Sequence, residues 1–242
     1  THPAPGRTRL SDVIVEDQGK IIAAADEVEI SGGSHIEINA RRVTAAGESL
    51  GVLLERLQHH ILRAESGAKT VHVHCNQIIF AGLDDAQTLN DVRVTLRSNG
   101  DERIVTADYR VAGISMREPA RIRVVRSPDE VQFRWETGGA SLPLAPWAEQ
   151  FPWLLALGDR CQFGGAVTAQ QNGATWIGEL QGTVSEIELE TLVSKHFPHK
   201  LSGSARLEIE EARFRKNRMI TGRGRLSAGP GVIGNSLIVS AT

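Results

Sequence analysis

The sequence predicts a mainly β chain, built as a curved antiparallel sheet with one amphipathic helix. Three observations predict it. Apolar and polar residues alternate with period two through most of the chain. Turn signals such as Gln18-Gly19-Lys20 and Asn99-Gly100 separate the alternating runs. One strand-turn-strand unit also recurs, which suggests stacking along an axis rather than a closed two-sheet globule.

The elements follow in order. Leu10–Val15 alternates and ends at the Gln18-Gly19-Lys20 turn. Ile21–Ala25 and Val28–Ile30 continue to Gly32-Gly33, and His35–Ala40 alternates again. Neighbouring strand side chains point to opposite faces, so Ile36 and Ile38 share one face while Glu37 and Asn39 share the other. The pattern then breaks. Leu50, Leu53, Leu54, Leu57, Ile61 and Leu62 form a helical stripe. With Ser49 suited to its start and Gly67 to its end, the spacing predicts an amphipathic helix over 48–65.

Strands resume at Val71–Cys75 and Gln77–Phe80, then Leu89–Arg97 and Ile104–Val111 around Asn99-Gly100. Arg121–Val125 and Val131–Trp135 form another pair around Pro128. Between Leu142 and Leu157, Pro143, Pro146 and Pro152 punctuate an apolar cluster, and loop with short helix is expected. Phe163–Gln170, Thr175–Leu180, Ser204–Glu210, Met219–Leu226 and Leu237–Ala241 read as the last strands, and Ile187–Val193 as a strand end followed by a helical turn. This divides the chain into an N-terminal β lobe (1–141), an irregular connection (142–158) and a C-terminal β lobe (159–242). Leu10-Ser11-Asp12-Val13 echoes Leu89-Asn90-Asp91-Val92, a similarity that generic hairpin composition could also produce.

Composition narrows the function classes. A formal net charge of -2 removes the bulk electrostatic case for nucleic acid. Two cysteines, Cys75 and Cys161, do not make a disulfide framework; two buried thiols or a single bridge both fit. No apolar run approaches the roughly 18 to 20 residues of a membrane-spanning helix. The start at Thr1-His2-Pro3 reads as a piece of a longer precursor, so membrane anchoring is expected only through a segment absent from this chain.

The most metal-like spot is His72-Val73-His74-Cys75. His72 and His74 share a strand face and Cys75 points away, so His59 or His60 would have to complete a site. The alternative is two histidines on the polar side of a strand. His196 and His199 flank Phe197-Pro198 and read as solvated or capping. There is no GxSxG neighbourhood, and the carboxylates alternate with apolar residues as on a solvated face, so no catalytic residue and no cofactor is assigned. Gly229–Gly234 lacks the βαβ setting of a phosphate cradle and reads as a turn. Arg206, Arg213, Arg215, Lys216, Arg218, Arg223 and Arg225 gather near the C-terminus. They read either as a solvated face balanced by glutamates or as a contact for an anionic surface such as lipid headgroups. Trp147, Phe151, Trp153, Leu154 and Leu155 form the richest apolar cluster, a core plug or the lining of an apolar groove.

The C-terminal stretch resembles the AsmA-like proteins of bacterial envelopes, a group that includes the TamB-like proteins. Phe163-Gly164-Gly165-Ala166-Val167 and Trp176–Val184 carry the resemblance, with Ile187–Val193, Leu201–Ala205 and Gly222–Ile233. It covers about 160 to 234; the rest of the chain matches in pattern only. The family's usual N-terminal membrane anchor is not among these residues, as expected of a piece cut from a longer precursor. The resemblance implies an open, taco-like β-groove in the periplasm or cell envelope, facing apolar chains. Val13, Val15, Ile36, Ile38, Val92 and Val94, together with Trp147, Phe151, Trp153 and Leu154, are the expected lining. The function expected is a non-catalytic envelope module that binds or conducts lipid or supports envelope assembly, with lipid or an envelope protein as partner. The alternatives are a structural or protein-interaction β domain with a closed core, and a metal-binding protein using His72 and His74.

Overall fold

A computed structural model describes residues 6–17, 19–32, 35–46, 70–81, 88–145, 152–173, 175–194, 202–216 and 218–231. These residues form one open sheet of thirteen strands. The strands are β1 (Arg7–Asp17), β2 (Lys20–Gly32), β3 (His35–Ala46), β4 (Thr70–Ala81), β5 (Thr88–Asn99), β6 (Glu102–Val111), β7 (Ala120–Arg126), β8 (Glu130–Glu136), β9 (Leu142–Pro143), β10 (Gln162–Asn172), β11 (Thr175–Glu188), β12 (Ser204–Arg215) and β13 (Arg218–Ala228). Twelve follow one another in chain order, and β9 pairs with β10 off that path. At about 4.8 Å between neighbours the ribbon is about 55 Å across. Among the described residues β1 and β13 are its edges, and the sheet does not close.

The mainly β class and the largely antiparallel pairing follow from alternation, because each hairpin joins neighbouring runs by a short turn. One pair differs: β3 and β4 are parallel. Parallel strands need a crossover of roughly a dozen residues or more, and residues 47–69 have that length. The helix expected over 48–65 lies outside the described residues, as does the strand expected at Leu237–Ala241. The α-helix that is described, α1 (Leu189–Ser194), follows β11 directly, at the helical turn expected there.

Two gaps in the alternation, at residues 26–27 and 76, do not end a strand. Residues 21–25 and 28–30 belong to one strand, β2, and residues 71–75 and 77–80 belong to β4. The reason lies in two transverse rows of paired residues. Leu10, Val28, Ala40, Cys75 and Val92 form one row; Val13, Ala25, Val43, Ile78 and Leu89 form the next. In each strand the two rows are three residues apart, which simple alternation would place on opposite faces. Yet Ala40, Cys75 and Val92 share one core cluster with Val43, Ile78 and Leu89. Each strand therefore carries one extra residue between the rows, a line of bulges crossing β1 to β5 in step. Ladder pairing lapses at Asp12, Asp26, Asn76 and Asp91. Asp12 (φ 53°) and Asp91 (φ 49°) at the two ends adopt the left-handed conformation that Asp tolerates better than most residues. The line stops at β5, because the β5–β6 register shifts between Asn90 and Arg93. The echo of Leu10-Ser11-Asp12-Val13 in Leu89-Asn90-Asp91-Val92 thus marks two copies of one bulge.

The other half of the sheet turns on glycine. Gly165 of β10 and Gly182 of β11 are direct partners, with φ of 155° and 148°. A Cβ on Gly165 would lie 2.2 Å from the Gln181 carbonyl oxygen, and one on Gly182 would lie 2.3 Å from that of Gly164. The Phe163 ring covers both glycines, about where their side chains would project. Beyond Glu136, β8 no longer follows β10; fully buried Thr137 takes over. Its N–H donates to the Gly165 carbonyl (3.0 Å) and its Oγ1 accepts from the Gly165 N–H (2.9 Å). Residues 142–145 and 152–161 then pack on the apolar face as a strap. Leu142, Leu144, Leu154 and Cys161 are buried there with Phe163, Val184, Ile187 and Leu189. Among its described residues the strap holds only β9 and a 3₁₀-helix, Pro152–Leu157. β8 and β10 pair directly, so the sheet runs unbroken beneath it.

Candidate apolar trough

Residues paired across neighbouring strands share a face, so the registers trace what each side of the ribbon presents. One row runs Ile36, Val71, Leu96, Val105, Val124 and Phe133, then Ala169, Gly178, Phe214 and Met219. It crosses ten strands without a polar side chain. All its members are half-buried except Met219, which is exposed. A parallel row runs Ile38, Val73, Val94, Ala107, Ile122, Trp135, Val167, Leu180 and Ala212, and in it Trp135 and Ala212 are buried. Together they form an apolar trough across the strands.

The expected lining residues fall in different settings. Ile36, Ile38 and Val94 lie in the two trough rows and are half-buried. Val13 lies in the second bulge row and is half-buried; Val15 on the edge strand is exposed. Val92, 7% exposed, and Leu154, also 7%, pack into the protein's own core. Trp153 belongs to the 3₁₀-helix, while Trp147 and Phe151 lie outside the described residues. Sequence reasoning named the lining on β3 and β5 and missed its continuation through Val71, Leu96, Val105, Val124 and Phe133. The same period-two signal marks those positions.

Aromatics anchor the sealed end. The Trp135 indole N–H donates to the Tyr109 hydroxyl (2.9 Å), and the Trp135 and Phe163 rings lie 5.5 Å apart, tilted by 40°. Burial disfavours the phenolate and pushes Tyr109 up to about 12, although the indole hydrogen bond pulls the other way. Burial likewise pushes the Cys161 thiol up to about 11 and raises that of Cys75. Both cysteines are free, buried and apart, which settles the choice between bridge and thiols.

The opposite face is polar. Asn39, His74, Arg93, Asp108, Arg121 and Glu136 form one transverse row; His72, Thr95, Thr106, Arg123 and Arg134 lie in the next. His72 and His74 do share this face, and Cys75 does point to the other. His74 Nε2 lies 3.2 Å from Asp91, which also holds Arg93, and His72 Nδ1 lies 3.3 Å from the Thr95 hydroxyl. Among the described residues no three His, Cys, Asp or Glu side chains gather as a metal site; His59 and His60 lie outside them. Arg121 bonds Asp108 at 2.6 Å and Arg134 bonds Glu136 at 2.6 Å, as on a solvated face. An open depression of about 840 Å³ lies on this side, between Arg117, Arg121, Glu136, Ser141, Thr183 and Arg206. Its mixed charge sets it apart from the trough.

No family model matches the chain, and neither does any curated protein or solved structure. Among the described residues no helix is long and apolar enough to cross a membrane.

Proposed function

We propose that this chain is a non-catalytic module of the bacterial cell envelope, facing the periplasm, that binds or conducts the acyl part of a lipid along the apolar trough. One observation carries the reading: an apolar row, half-buried except at Met219, crosses ten strands of a sheet that among the described residues stays open at both edges. A dry globular core would bury such a row between two layers. An acyl chain laid along it would gain about 0.8 kcal/mol for each methylene it buries. The resemblance of residues 160 to 234 to AsmA-like proteins supports the same setting.

Native mass spectrometry of the gently purified protein tests this. Bound lipid of defined mass is expected, and Leu96→Glu combined with Val124→Glu is expected to abolish it while the circular dichroism spectrum stays β-rich. Protein free of lipid, unable to take up an added fluorescent fatty acid, would overturn the proposal. A second reading, a protein-interaction domain with a closed core, is favoured by the strap that seals the face over Trp135, Phe163 and Val184.

A further inference from the structure

We infer that the tips of the β10–β11 and β12–β13 hairpins form a contact for an anionic lipid surface, placed where the trough reaches its rim. The inference stands apart from the groove reading, because it rests on the charge and exposure of these tips and not on what fills the trough.

The two tips lie side by side: Gln171 pairs with Trp176, Ile177 pairs with Arg215, and the Lys216 N–H donates to the Trp176 carbonyl (3.1 Å). Large apolar side chains stand in solvent here, with Trp176 41%, Met219 65% and Ile220 54% exposed. Trp176 and Met219 lie on the trough side of their strands: Met219 is in register with Ala169, Gly178 and Phe214, and Trp176, paired with Gln171, sits two residues from Gly178. On the polar side Arg215 and Arg218 are direct partners, and Lys216 makes the turn with φ 49°. Like charges placed opposite one another destabilise a strand pair. Farther in, glutamates offset the basic residues: Arg213 meets Glu179 at 3.1 Å and Glu211 at 2.8 Å, and Arg223 lies 3.9 Å from Glu210. Among the described residues Arg215, Lys216 and Arg218 make no ion pair.

Three cations with no ion pair among the described residues, beside an exposed Trp, Met and Ile, match the two layers of a bilayer surface. Phosphates take the charge, and the headgroup boundary takes the amphipathic indole and the thioether. Anionic headgroups supply the complementary sign. A hairpin lip seated this way would set the Met219 end of the trough against the acyl region of the bilayer.

Vesicle co-sedimentation tests the inference on the full chain. Vesicles of phosphatidylcholine mixed with phosphatidylglycerol are compared with vesicles of phosphatidylcholine alone. Binding to the anionic vesicles that weakens with added salt is expected. Arg215→Gln, Lys216→Gln and Arg218→Gln together should lower it by roughly fivefold per cation, on the order of a hundredfold in all. Trp176→Ala should weaken it while leaving the charge unchanged. These positions are exposed, so the circular dichroism of the variants should match the parent, and the triple variant should be no less stable to urea than the parent. Equal binding to both vesicles, no binding to either, or a triple variant that binds like the parent would overturn the inference. Lipid retained in the trough by the triple variant separates this surface from the groove proposal.

Discussion

Between β1 and β5 the sheet changes course along a line of polar residues, whereas between β8 and β12 it does so at paired glycines beneath an aromatic ring. In the first region every strand takes one extra residue at the same level, so the register stays in step and no side chain need be lost. The inward face there carries small or branched residues such as Ala23, Ala40, Ala45 and Val92. In the second region the backbones of β10 and β11 approach closely at Gly165 and Gly182, and Phe163 fills the space above. That ring needs packing on its own outer side, which Trp135 and the strap supply. The bulge line can bend a sheet and leave its face available; the glycine pair bends it where the face is sealed.

The largest expected effect breaks the second device. Gly165→Val would set a side chain against the Gln181 carbonyl and force an L-residue into a conformation it rarely adopts. Urea unfolding should show a loss of about 2 to 5 kcal/mol. Gly173→Ala, with open space around it but φ 58°, should cost only about 1 kcal/mol. Equal costs at the two sites would mean that conformation, not close approach, sets the requirement. Next comes Tyr109→Phe, which removes the hydroxyl that accepts the buried Trp135 indole N–H. About 1 to 3 kcal/mol should be lost in the same assay.

The first device is expected to be gentler. Asp91→Val places a β-branched residue in the left-handed region and should cost about 1 to 2 kcal/mol. Asp91→Gly should be nearly neutral, since it relieves the conformation and loses only half-exposed contacts to His74 and Arg93. An Asp91→Gly variant as unstable as Asp91→Val would show that the ion pairs, not the bulge, hold this strand.

A further effect lies in pH and needs no substitution. Burial raises the Cys161 thiol from 9.0 to about 11 and the Tyr109 hydroxyl from 10.0 to about 12. A group raised on folding contributes stability that is intact below its unfolded value and lost as pH climbs through the folded one. The urea midpoint should therefore hold from neutral pH to about 9 and decline toward 12. Cys161→Ala should flatten the early part of that decline. A midpoint that already falls between neutrality and pH 8 would place the sensitive group elsewhere.

Strand content was legible because alternation at positions such as Ile36, Ile38, Val92 and Val94 reports a half-buried face directly. The strand-to-helix change at Ile187–Val193 was legible for a similar reason, as its apolar spacing changes there. Pairing was not. Nothing local distinguishes the parallel β3–β4 pair from an antiparallel one, and the partner of His74 depends on a register set across Asp91. The bulges were written in the sequence as the repeated Leu-x-Asp-Val, yet at Asp26 and Asn76 they show only as gaps in the alternation. An extra residue disrupts alternation as a turn does. Which part of the apolar face stays open was also hidden. Val92 and Val94 are two residues apart on one strand, but Val92 is sealed while Val94 remains half-buried.

The central claim is that the greasy side of this ribbon is within reach of an outside hydrocarbon. Photo-crosslinking with a diazirine-bearing fatty acid, followed by peptide mapping, tests it most directly. Adducts should fall on the peptides that carry Leu96, Val105, Val124 and Phe133, and excess unlabelled fatty acid should compete them away. Labelling that is absent, or that falls only on the polar strand faces around His72 and Arg123, would contradict the account.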